Sequence, residues 1–350
     1  MAVSAVRHVV KCADKVLTAA PRRRCRTRSQ EHALNDLANP TTPSPPAGAA
    51  PQRRRVAVII NGGAGAGHDD AAATDLRAKF AAAGCDATVT LAKSGEEMIA
   101  TARRALDDQV DAIIAGGGDG TINAVASVVA GTAMPFGVLP LGTLNHFAKD
   151  IGVPLTLDEA VRNVAEGAVI AVDVGEVNGR IFLNNSGLGL YPDIVHDREK
   201  QQSRLGRGKW LAAAWATVAA LRRYPFLKLT LCIDGHDHLR ATPFVFIGNN
   251  EYSMSGLTIG ERATLQDGQL SVYVAQRPGR LGLLRFGWRA LFGKLAAERD
   301  FDAMLCANFD INTHHQRLRV ATDGEVTVMR TPLKYKVRPG DLRVIVPREK

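Results

Sequence analysis

The sequence predicts an α/β domain built on a parallel sheet, followed by a domain of mostly antiparallel sheet. In the first part of the chain, short runs rich in Val and Ile alternate with segments of helical composition, which is typical of a parallel sheet with helices on both faces. After about residue 150 the apolar runs are β-rich and separated by Gly, Asn and Asp, which favours antiparallel strands.

The first domain begins with an apolar, β-branched run at 56–60. This run stops at Asn61-Gly62-Gly63, which predicts a buried strand that leads into a tight turn. The further elements expected in this domain are a helix at 69–83, a strand at 86–91, a helix at 96–106, and strands at 110–115 and 134–139.

The second domain is expected to contain short strands and two helices. The strands are predicted at 169–177, 180–185, 227–233, 242–248, 268–274, 309–312, 317–321 and 334–337, and the helices at 209–223 and 281–297. The pattern shows no internal repeat.

Most of the net charge precedes the first strand. Residues 1–55 contain 11 of the 44 Lys and Arg residues and 3 of the 35 acidic ones, so they carry +8 of the net +9 and the remaining 295 residues carry +1. Residues 39–55 include five prolines, which predicts a linker behind a disordered arm. We expect an arm and linker at 1–55, an α/β domain at 56–150 and a sheet domain at 151–350. The nearly neutral folded part argues against a nucleic-acid partner.

The sequence predicts no transmembrane segment and a cytoplasmic location. The longest nearly apolar stretch, 210–221, has 12 residues, against the roughly 20 that a spanning helix needs. The N-terminus lacks the apolar core of a secretory signal. The five cysteines lie far apart and form no CxxC pair, so they indicate neither a metal site nor a redox site.

A glycine cluster after the strand at 110–115 predicts an anion site. Gly116-Gly117-Gly118-Asp119-Gly120 stands between a buried strand and a helix start, where unpaired backbone N–H groups and the helix dipole attract anions. Neither GxxxxGK[ST] nor GxGxxG is present. Asp119 would repel phosphate unless Mg²⁺ lies between them or the carboxylate orients a hydroxyl, which favours phosphoryl transfer. The alternative is a plain strand-to-helix turn with Asp119 as the N-cap.

A second turn lies at a matching place. The strand at 134–139 ends in Pro140-Leu141-Gly142-Thr143-Leu144-Asn145. Since the carboxyl ends of parallel strands share one sheet edge, the turns at 61–67, 116–123 and 142–145 are expected to converge there.

Five segments together resemble the diacylglycerol kinase catalytic family, which includes soluble bacterial lipid kinases and the sphingosine and ceramide kinases. They are Asn61-Gly-Gly-Ala-Gly65, Gly117-Gly-Asp-Gly-Thr-Ile-Asn123, Pro140-Leu-Gly-Thr-Leu-Asn-His-Phe-Ala148, Leu265-Gln-Asp-Gly-Gln-Leu270 and Asp323-Gly-Glu325. The resemblance covers 56–347 in the family's order. GGDGT also occurs in phosphofructokinases and NAD kinases, whereas the long Pro140 motif favours the lipid kinases.

The resemblance implies an ATP-binding α/β domain joined to a β-sandwich, with the lipid head group between them. It implies Glu325 as the proton acceptor, with Asp323 and Asp119 in the catalytic set, and a structural Mg²⁺ on Asp267. The backbone carbonyls of Thr264 and Gln269 would complete the metal ligands. The implied nucleotide contacts are Asn61, Gly117, Gly118, Asp119, Gly120, Thr121, Ile122, Asn123, Gly142, Thr143 and Asn145. The sequence departs from the family at Gly62, where Pro is usual, and at Leu91, where Thr is common.

Two acidic turns have a second interpretation. A lipid hydroxyl needs a carboxylate within hydrogen-bond reach, which Asp323-Gly324-Glu325 can supply, but Asp-Gly is also the preferred dipeptide of a β-hairpin turn. Asp267-Gly268 is open to the same alternative. His314-His315 has no ligand-spaced partner and is expected to be loop.

The segment 281–297 places Trp and Leu residues near one helical face with Arg and Lys around it. Such a helix can lie on an anionic membrane surface, where a lipid kinase meets its substrate, or it can pack on its own core. Peripheral contact with the inner membrane surface is therefore expected as one of two alternatives, and the oligomeric state is left open.

The sequence thus predicts an ATP- and Mg²⁺-dependent lipid kinase that acts on a hydroxyl of a diacylglycerol-like or sphingoid lipid. There are two alternatives. One is a kinase of a soluble substrate such as NAD, and the other is a catalytically silent module that binds nucleotide or lipid.

Overall fold

The computed structural model describes residues 53–62, 69–189, 227–233, 235–255, 258–262, 264–275 and 301–348. The chain divides into two compact units, Met1–Ala50 and Pro51–Lys350, and the described residues all belong to the second. The helices predicted at 209–223 and 281–297, and the arm before residue 53, lie outside the described residues. Within the described part, no helix is both long enough and apolar enough to cross a membrane.

The first part of the fold alternates strands and helices as predicted. Its elements are β1 (Arg54–Asn61), α1 (Asp70–Ala82), β2 (Cys85–Ala92), α2 (Gly95–Asp107), β3 (Ala112–Gly117), α3 (Asp119–Val129) and β4 (Phe136–Pro140). The helices begin where side chains cap them: Asp69 accepts a hydrogen bond from the Ala72 N–H, and Ser94 accepts one from the Glu97 N–H. The two helices expected from composition are therefore present.

These strands form a parallel sheet in the order β2-β1-β3-β4. The chain moves one way from β1 to β2 and the other way from β2 to β3, so right-handed crossovers place α1 opposite α2 and α3. Ile60 pairs with Gly116, and Gly117 pairs with Pro140. The register thus brings the carboxyl ends of β1, β3 and β4 level at one edge, where the strand order reverses and ligands of such sheets bind.

The remaining described elements are mostly strands. They are α4 (His146–Asp150), α5 (Leu157–Glu166), β5 (Ala168–Val177), β6 (Arg180–Phe182), β7 (Asn185–Gly189), β8 (Leu227–Ile233), β9 (His236–Thr242), β10 (Phe244–Asn249), β11 (Tyr252–Ser255), β12 (Thr258–Arg262), β13 (Leu270–Ala275), β14 (Phe301–Cys306), β15 (Asn308–Asn312), β16 (Arg317–Thr322), β17 (Glu325–Arg330) and β18 (Leu333–Val346). The prediction that this part consists mostly of antiparallel strands is confirmed. The elements that were not predicted are α4, α5, β9, β11, β12, β14 and β17.

The antiparallel strands form a six-stranded sheet in the order β14-β13-β10-β7-β16-β17 and a continuation of the parallel sheet. The last strand, β18, provides that continuation. Near its end Val344 pairs with Phe136 of β4, near its start Leu333 pairs with Ile311 of β15, and β5 follows its other side. One strand therefore joins the two parts of the fold.

Two apolar cores lie on either side of this junction. The first combines β1, β3 and β4 with the faces of α1 to α5 and with the end of β18. The second fills the space between the antiparallel strands, where Phe309 stacks on Tyr335 with ring centroids 4.9 Å apart. β18 contributes to both cores, and the division at residue 150 remains a prediction.

Candidate active site

The turn from β3 into α3 has the geometry of an anion cradle. Gly118 is the N-cap of α3 and supplies no side-chain cap. The first intrahelical bond runs from the Ile122 N–H to the Gly118 carbonyl, so the N–H groups before it have no acceptor within the helix. A Cβ at Gly117 would lie 2.6 Å from Thr121 Oγ1, which explains why only glycine fits there. These donors point to the carboxyl edge of the sheet.

The turn after β4 lies directly against this cradle. A Cβ at Gly142 would be 2.4 Å from the Gly118 Cα, so the two backbones are in contact. Asn145 has φ 49° and fastens the turn with its side chain. Its Oδ1 accepts from the Gly142 N–H at 3.0 Å, and its Nδ2 donates to the Gly142 and Pro140 carbonyls at 2.8 and 3.2 Å. The two glycine turns therefore form one surface.

Asp119 connects the same two turns. Its carboxylate accepts hydrogen bonds from the His146 N–H at 3.3 Å and the Phe147 N–H at 3.1 Å, at the start of α4. The alternative in which Asp119 is the N-cap of its own helix is thus wrong, because Gly118 holds that position and Asp119 caps α4 instead. Backbone donors offset the charge of Asp119, which reduces its repulsion of a phosphate in the cradle.

The turn after β1 is described only at Asn61 and Gly62. Asn61 Nδ2 donates to Thr121 Oγ1 at 3.4 Å, which brings the first turn to the cradle. Thr143 is exposed beside it, whereas Ile122 is fully buried in the first core. The described start of the first turn therefore lies at the other two turns, as the parallel register requires, and the individual nucleotide contacts remain predictions.

The acidic turn at 323–325 is a β-hairpin turn that also holds a buried network. Asp323 and Gly324 have φ 47° and 87° and join β16 to β17, which is the two-residue turn that favours Asp-Gly. The Asp323 carboxylate accepts from the Leu183, Asn184 and Asn185 N–H groups at 2.7, 2.8 and 3.0 Å. Burial raises the pKa of Asp323 to about 6, although the three N–H donors act to lower it. The nearby Asp119 charge adds to the increase.

Glu325 brings the acidic turn to the glycine cradle. A Cβ at Gly120 would be 3.4 Å from Glu325 Oε1, so this oxygen faces the first turn of α3. The other oxygen, Oε2, accepts from Arg180 Nη2 at 2.5 Å, and Arg180 Nε donates to Thr322 Oγ1 at 2.8 Å. One carboxylate oxygen is thus fixed by an arginine while the other faces the place where an anion would lie.

The loop that carries the predicted metal ligands lies between β12 and β13. The Asp267 and Gln269 side chains are exposed, and Thr264 is half-buried. The Asp267 N–H donates to Asn250 Oδ1 at 3.2 Å, and the Gly268 N–H donates to the buried Asp173 carboxylate at 2.7 Å. These two backbone N–H donors fix the loop to Asn250 and Asp173, and its role as a metal site remains a prediction.

Two arginines and a buried acid at this site had not been predicted. Arg180 holds Glu325, Arg262 forms an ion pair with Asp150, and Asp173 holds the loop that carries the predicted metal ligands. Of these three residues, only Asp173 could have been recognised from the sequence. It is an acid in the middle of the Val-rich β5, and a buried acid must be paired. The partners of both arginines are distant in the sequence, since Arg180 and Glu325 are 145 positions apart and Arg262 and Asp150 are 112 positions apart.

A glycine-lined anion cradle that faces a carboxylate from a second sheet is the arrangement of a phosphotransferase, with one side for phosphates and one for the acceptor. Comparison with known proteins identifies the same class. Residues 55–177 match the model of the diacylglycerol kinase catalytic domain, and residues 193–346 match that of the YegS C-terminal NAD kinase beta sandwich-like domain. The chain belongs to this lipid kinase family.

Two relatives and one solved structure define the extent of the similarity. The chain is 34% identical over 177 residues to the "Probable lipid kinase YegS-like" of Klebsiella pneumoniae, which covers 49% of this chain and 58% of that protein. It is 31% identical over 252 residues to the "Probable lipid kinase YegS" of Salmonella arizonae, which covers 68% and 79%. A candidate diacylglycerol kinase from Bacillus anthracis superposes with a TM-score of 0.65 at 25% identity, over 84% of this chain and 97% of that one.

Replacement of Gly142 by alanine should separate the two glycine turns. The new Cβ would be 2.4 Å from a backbone atom that no rotamer change can move. Overpacking of this kind costs about 1–3 kcal/mol, so we expect ATP affinity to fall by about 5- to 150-fold. Calorimetric titration with ATP measures this, with Gly95→Ala as the control because no atom lies within 4 Å of its Cβ. Unchanged affinity in Gly142→Ala would mean that the contact does not shape the nucleotide site.

The raised pKa of Asp323 should appear in the pH dependence of stability. Between about pH 4 and 6 the folded chain keeps a proton that the unfolded chain, with its ordinary Asp pKa near 3.8, has lost. The contribution of Asp323 to the free energy of unfolding therefore falls as the pH rises through this window, and is constant above it. Urea unfolding of the wild type and Asp323→Asn should show their difference falling over that range. A difference that rises with pH would show that the three N–H donors outweigh burial.

Proposed function

We propose that this protein transfers the γ-phosphate of ATP to a hydroxyl of a diacylglycerol-like or sphingoid lipid. The observation that supports this most is the position of Glu325 Oε1 beside Gly120, at the start of the helix whose N–H groups form the anion cradle. A general base must lie within reach of both the acceptor hydroxyl and the transferred group. The names of the relatives support a lipid acceptor over NAD.

The cradle supports the binding of the triphosphate. α3 spans 11 residues, and its N-terminal N–H groups and dipole stabilise negative charge. Neither Gly118 nor Gly142 carries a side chain, and their backbones lie against each other. Phosphate oxygens can therefore approach both backbones closely. These groups would hold the β- and γ-phosphates in place and stabilise charge that develops on the leaving oxygen.

Glu325 would act on the acceptor. As the lipid hydroxyl oxygen forms a bond to the γ-phosphorus and the bond to the ADP oxygen breaks, the hydroxyl proton passes to Glu325 Oε1. Arg180 holds Oε2 at 2.5 Å, so the carboxylate has a fixed orientation during this step. The Asp323 hairpin sets the position of the strand that carries Glu325.

The proposed Mg²⁺ ligands have suitable chemistry. A carboxylate of Asp267 and the carbonyls of Thr264 and Gln269 are the hard oxygen donors that Mg²⁺ prefers, usually with several waters. The described residues contain no group of three or more His, Cys, Asp or Glu side chains that could hold a metal, so water and carbonyls would complete the site. Nearby, the buried Asn249 Oδ1 has no hydrogen-bond partner within the described part of the chain. A bound Mg²⁺ would neutralise the charge of the Asp267 carboxylate and stabilise the loop.

We further propose that the enzyme meets its substrate at a membrane surface. A two-chain lipid stays in the bilayer, so its kinase must work at the interface. The basic amphipathic segment 281–297 would provide that contact, and it lies outside the described residues.

The test is Glu325→Gln in an assay with radiolabelled ATP, mixed lipid micelles and, separately, NAD. We expect the wild type to label lipid, and the variant to lose about 10²–10⁴-fold in rate while it still binds ATP, because only the proton acceptor is removed. Glu176→Gln is the matched control, since Glu176 is also paired with an arginine but lies on β5. Labelling of NAD alone would overturn the lipid acceptor, and ATP binding without any transfer would indicate a silent module. Full activity in Glu325→Gln would remove the assignment of the base.

A further inference from the structure

Arg262 is a buried arginine that the mechanism above does not use. Its side chain is 0% exposed and that of its ion-pair partner Asp150 is 10% exposed. The Nε and Nη2 atoms donate to Asp150 Oδ2 at 3.0 and 2.6 Å, in the paired geometry that a guanidinium favours. The ring of Tyr252 lies 5.4 Å from the guanidinium carbon. A charge enclosed to this extent has to be matched on every side.

The remaining N–H donors of Arg262 bond residues in the second part of the fold. Nη1 donates to the Leu183 carbonyl at 2.7 Å and to the Asn249 carbonyl at 3.2 Å, and Nη2 donates to Asn184 Oδ1 at 3.0 Å. Leu183 and Asn184 are two of the three residues whose N–H groups hold Asp323. Arg262 is thus one step from the hairpin that carries Glu325.

Asp150, the ion-pair partner of Arg262, is connected to the glycine cradle through α4. Asp150 is the last residue of α4, and the first N–H groups of this five-residue helix hold the Asp119 carboxylate. The connections therefore form a closed ring. The ring runs from Asp119 through α4, Asp150, Arg262, Asn184 and Asp323 to Glu325, and it closes where Glu325 faces Gly120.

The bonds in this ring are of a kind that fixes the distances between the groups they join. Its non-covalent links are directional hydrogen bonds and one ion pair, whose energy falls steeply when the geometry changes, and its other links are the backbone of α4 and of the hairpin. A buried ion pair adds little net stability compared with apolar side chains of similar size, so its main effect here is on geometry. Lysine has a single ammonium group and cannot hold Asp150, the Leu183 carbonyl and Asn184 together as the planar guanidinium does.

We propose that Arg262 is a positioning residue that sets the distance between the base Glu325 and the phosphate cradle. This inference rests on the proposed kinase activity, because the quantity it controls is the alignment of acceptor and phosphate. A misplacement of about 1 Å can reduce a rate about 10²-fold without a change in binding. Loss of Arg262 should therefore lower kcat and leave the nucleotide site intact.

The experiment compares four variants with the wild type. Arg262→Met removes all four acceptor contacts, Arg262→Lys keeps only the charge, and Arg262→Met/Asp150→Leu replaces the ion pair with apolar groups. The matched control is Arg338→Met, since Arg338 is a partly buried arginine that bonds Glu176 and Asp341, neither of which belongs to the ring. The measurements are kcat and KM for ATP, nucleotide affinity, and urea unfolding.

We expect kcat to fall about 10- to 100-fold in Arg262→Met and Arg262→Lys, with KM for ATP and nucleotide affinity near wild-type values. The double variant should regain most of the stability that Arg262→Met loses, while its kcat stays low. Arg338→Met should keep the wild-type kcat. Recovery of kcat together with stability in the double variant, or full activity in Arg262→Lys, would overturn the positioning role.

A second readout separates this inference from the proposed function. Hydrogen exchange of the Asn184 and Asn185 amides, and of the His146 and Phe147 amides, reports on the two ends of the ring. We expect Arg262→Met to increase exchange at both ends, and Arg338→Met to increase it at neither. If the wild type phosphorylates no lipid, the proposed function fails and this measurement alone decides: faster exchange at both ends supports the coupling, and a change at one end or at neither overturns it.

Discussion

The arrangement of the site depends on the pairing of β18 with strands of both parts of the fold. The end of this strand pairs in parallel with β4, which leads into the second glycine turn, and its start pairs with β15. Because β5 pairs with β18 on both sides of an irregularity between Arg338 and Leu342, β18 cannot shift without breaking two stretches of pairing. The hairpin with Glu325 precedes β18 by a few residues, so this ladder limits where the carboxylate can lie relative to the cradle.

Three carboxylates lie around one anion cradle, and the fold offsets each of them differently. Asp119 accepts from the first N–H groups of α4, Asp323 accepts from three backbone N–H groups, and Glu325 is paired with Arg180. Without these donors the acids would repel both one another and a bound phosphate. The raised pKa of Asp323 shows that the compensation is incomplete there, since burial outweighs the donors. Glu325 is the most exposed of the three and the one that faces the proposed acceptor.

The sequence predicted what depends on local patterns and missed what depends on distant partners. The strands before the glycine turns and the convergence of those turns follow from apolar runs and from parallel register, and both are confirmed. Asp323-Gly324 was open to two interpretations: the structure confirms the hairpin turn, and the role of Glu325 as proton acceptor remains a proposal. The helix α5 was missed although it buries an apolar face, and Arg262 has no local feature that distinguishes it from a surface arginine. Its role depends on partners that only the folded chain brings together.

The buried links around Arg262 would explain how two distinct apolar cores support the one proposed reaction. Apolar contacts are not directional, so they hold two parts together while allowing small sliding motions. The proposed reaction needs the acceptor oxygen in line with the γ-phosphorus, and this requirement is one of direction as well as distance. Hydrogen bonds supply direction, and a guanidinium supplies several in one plane. In the proposed reaction the cores would therefore contribute stability, while the polar ring between Asp119 and Glu325 would contribute the alignment that apolar packing alone cannot fix.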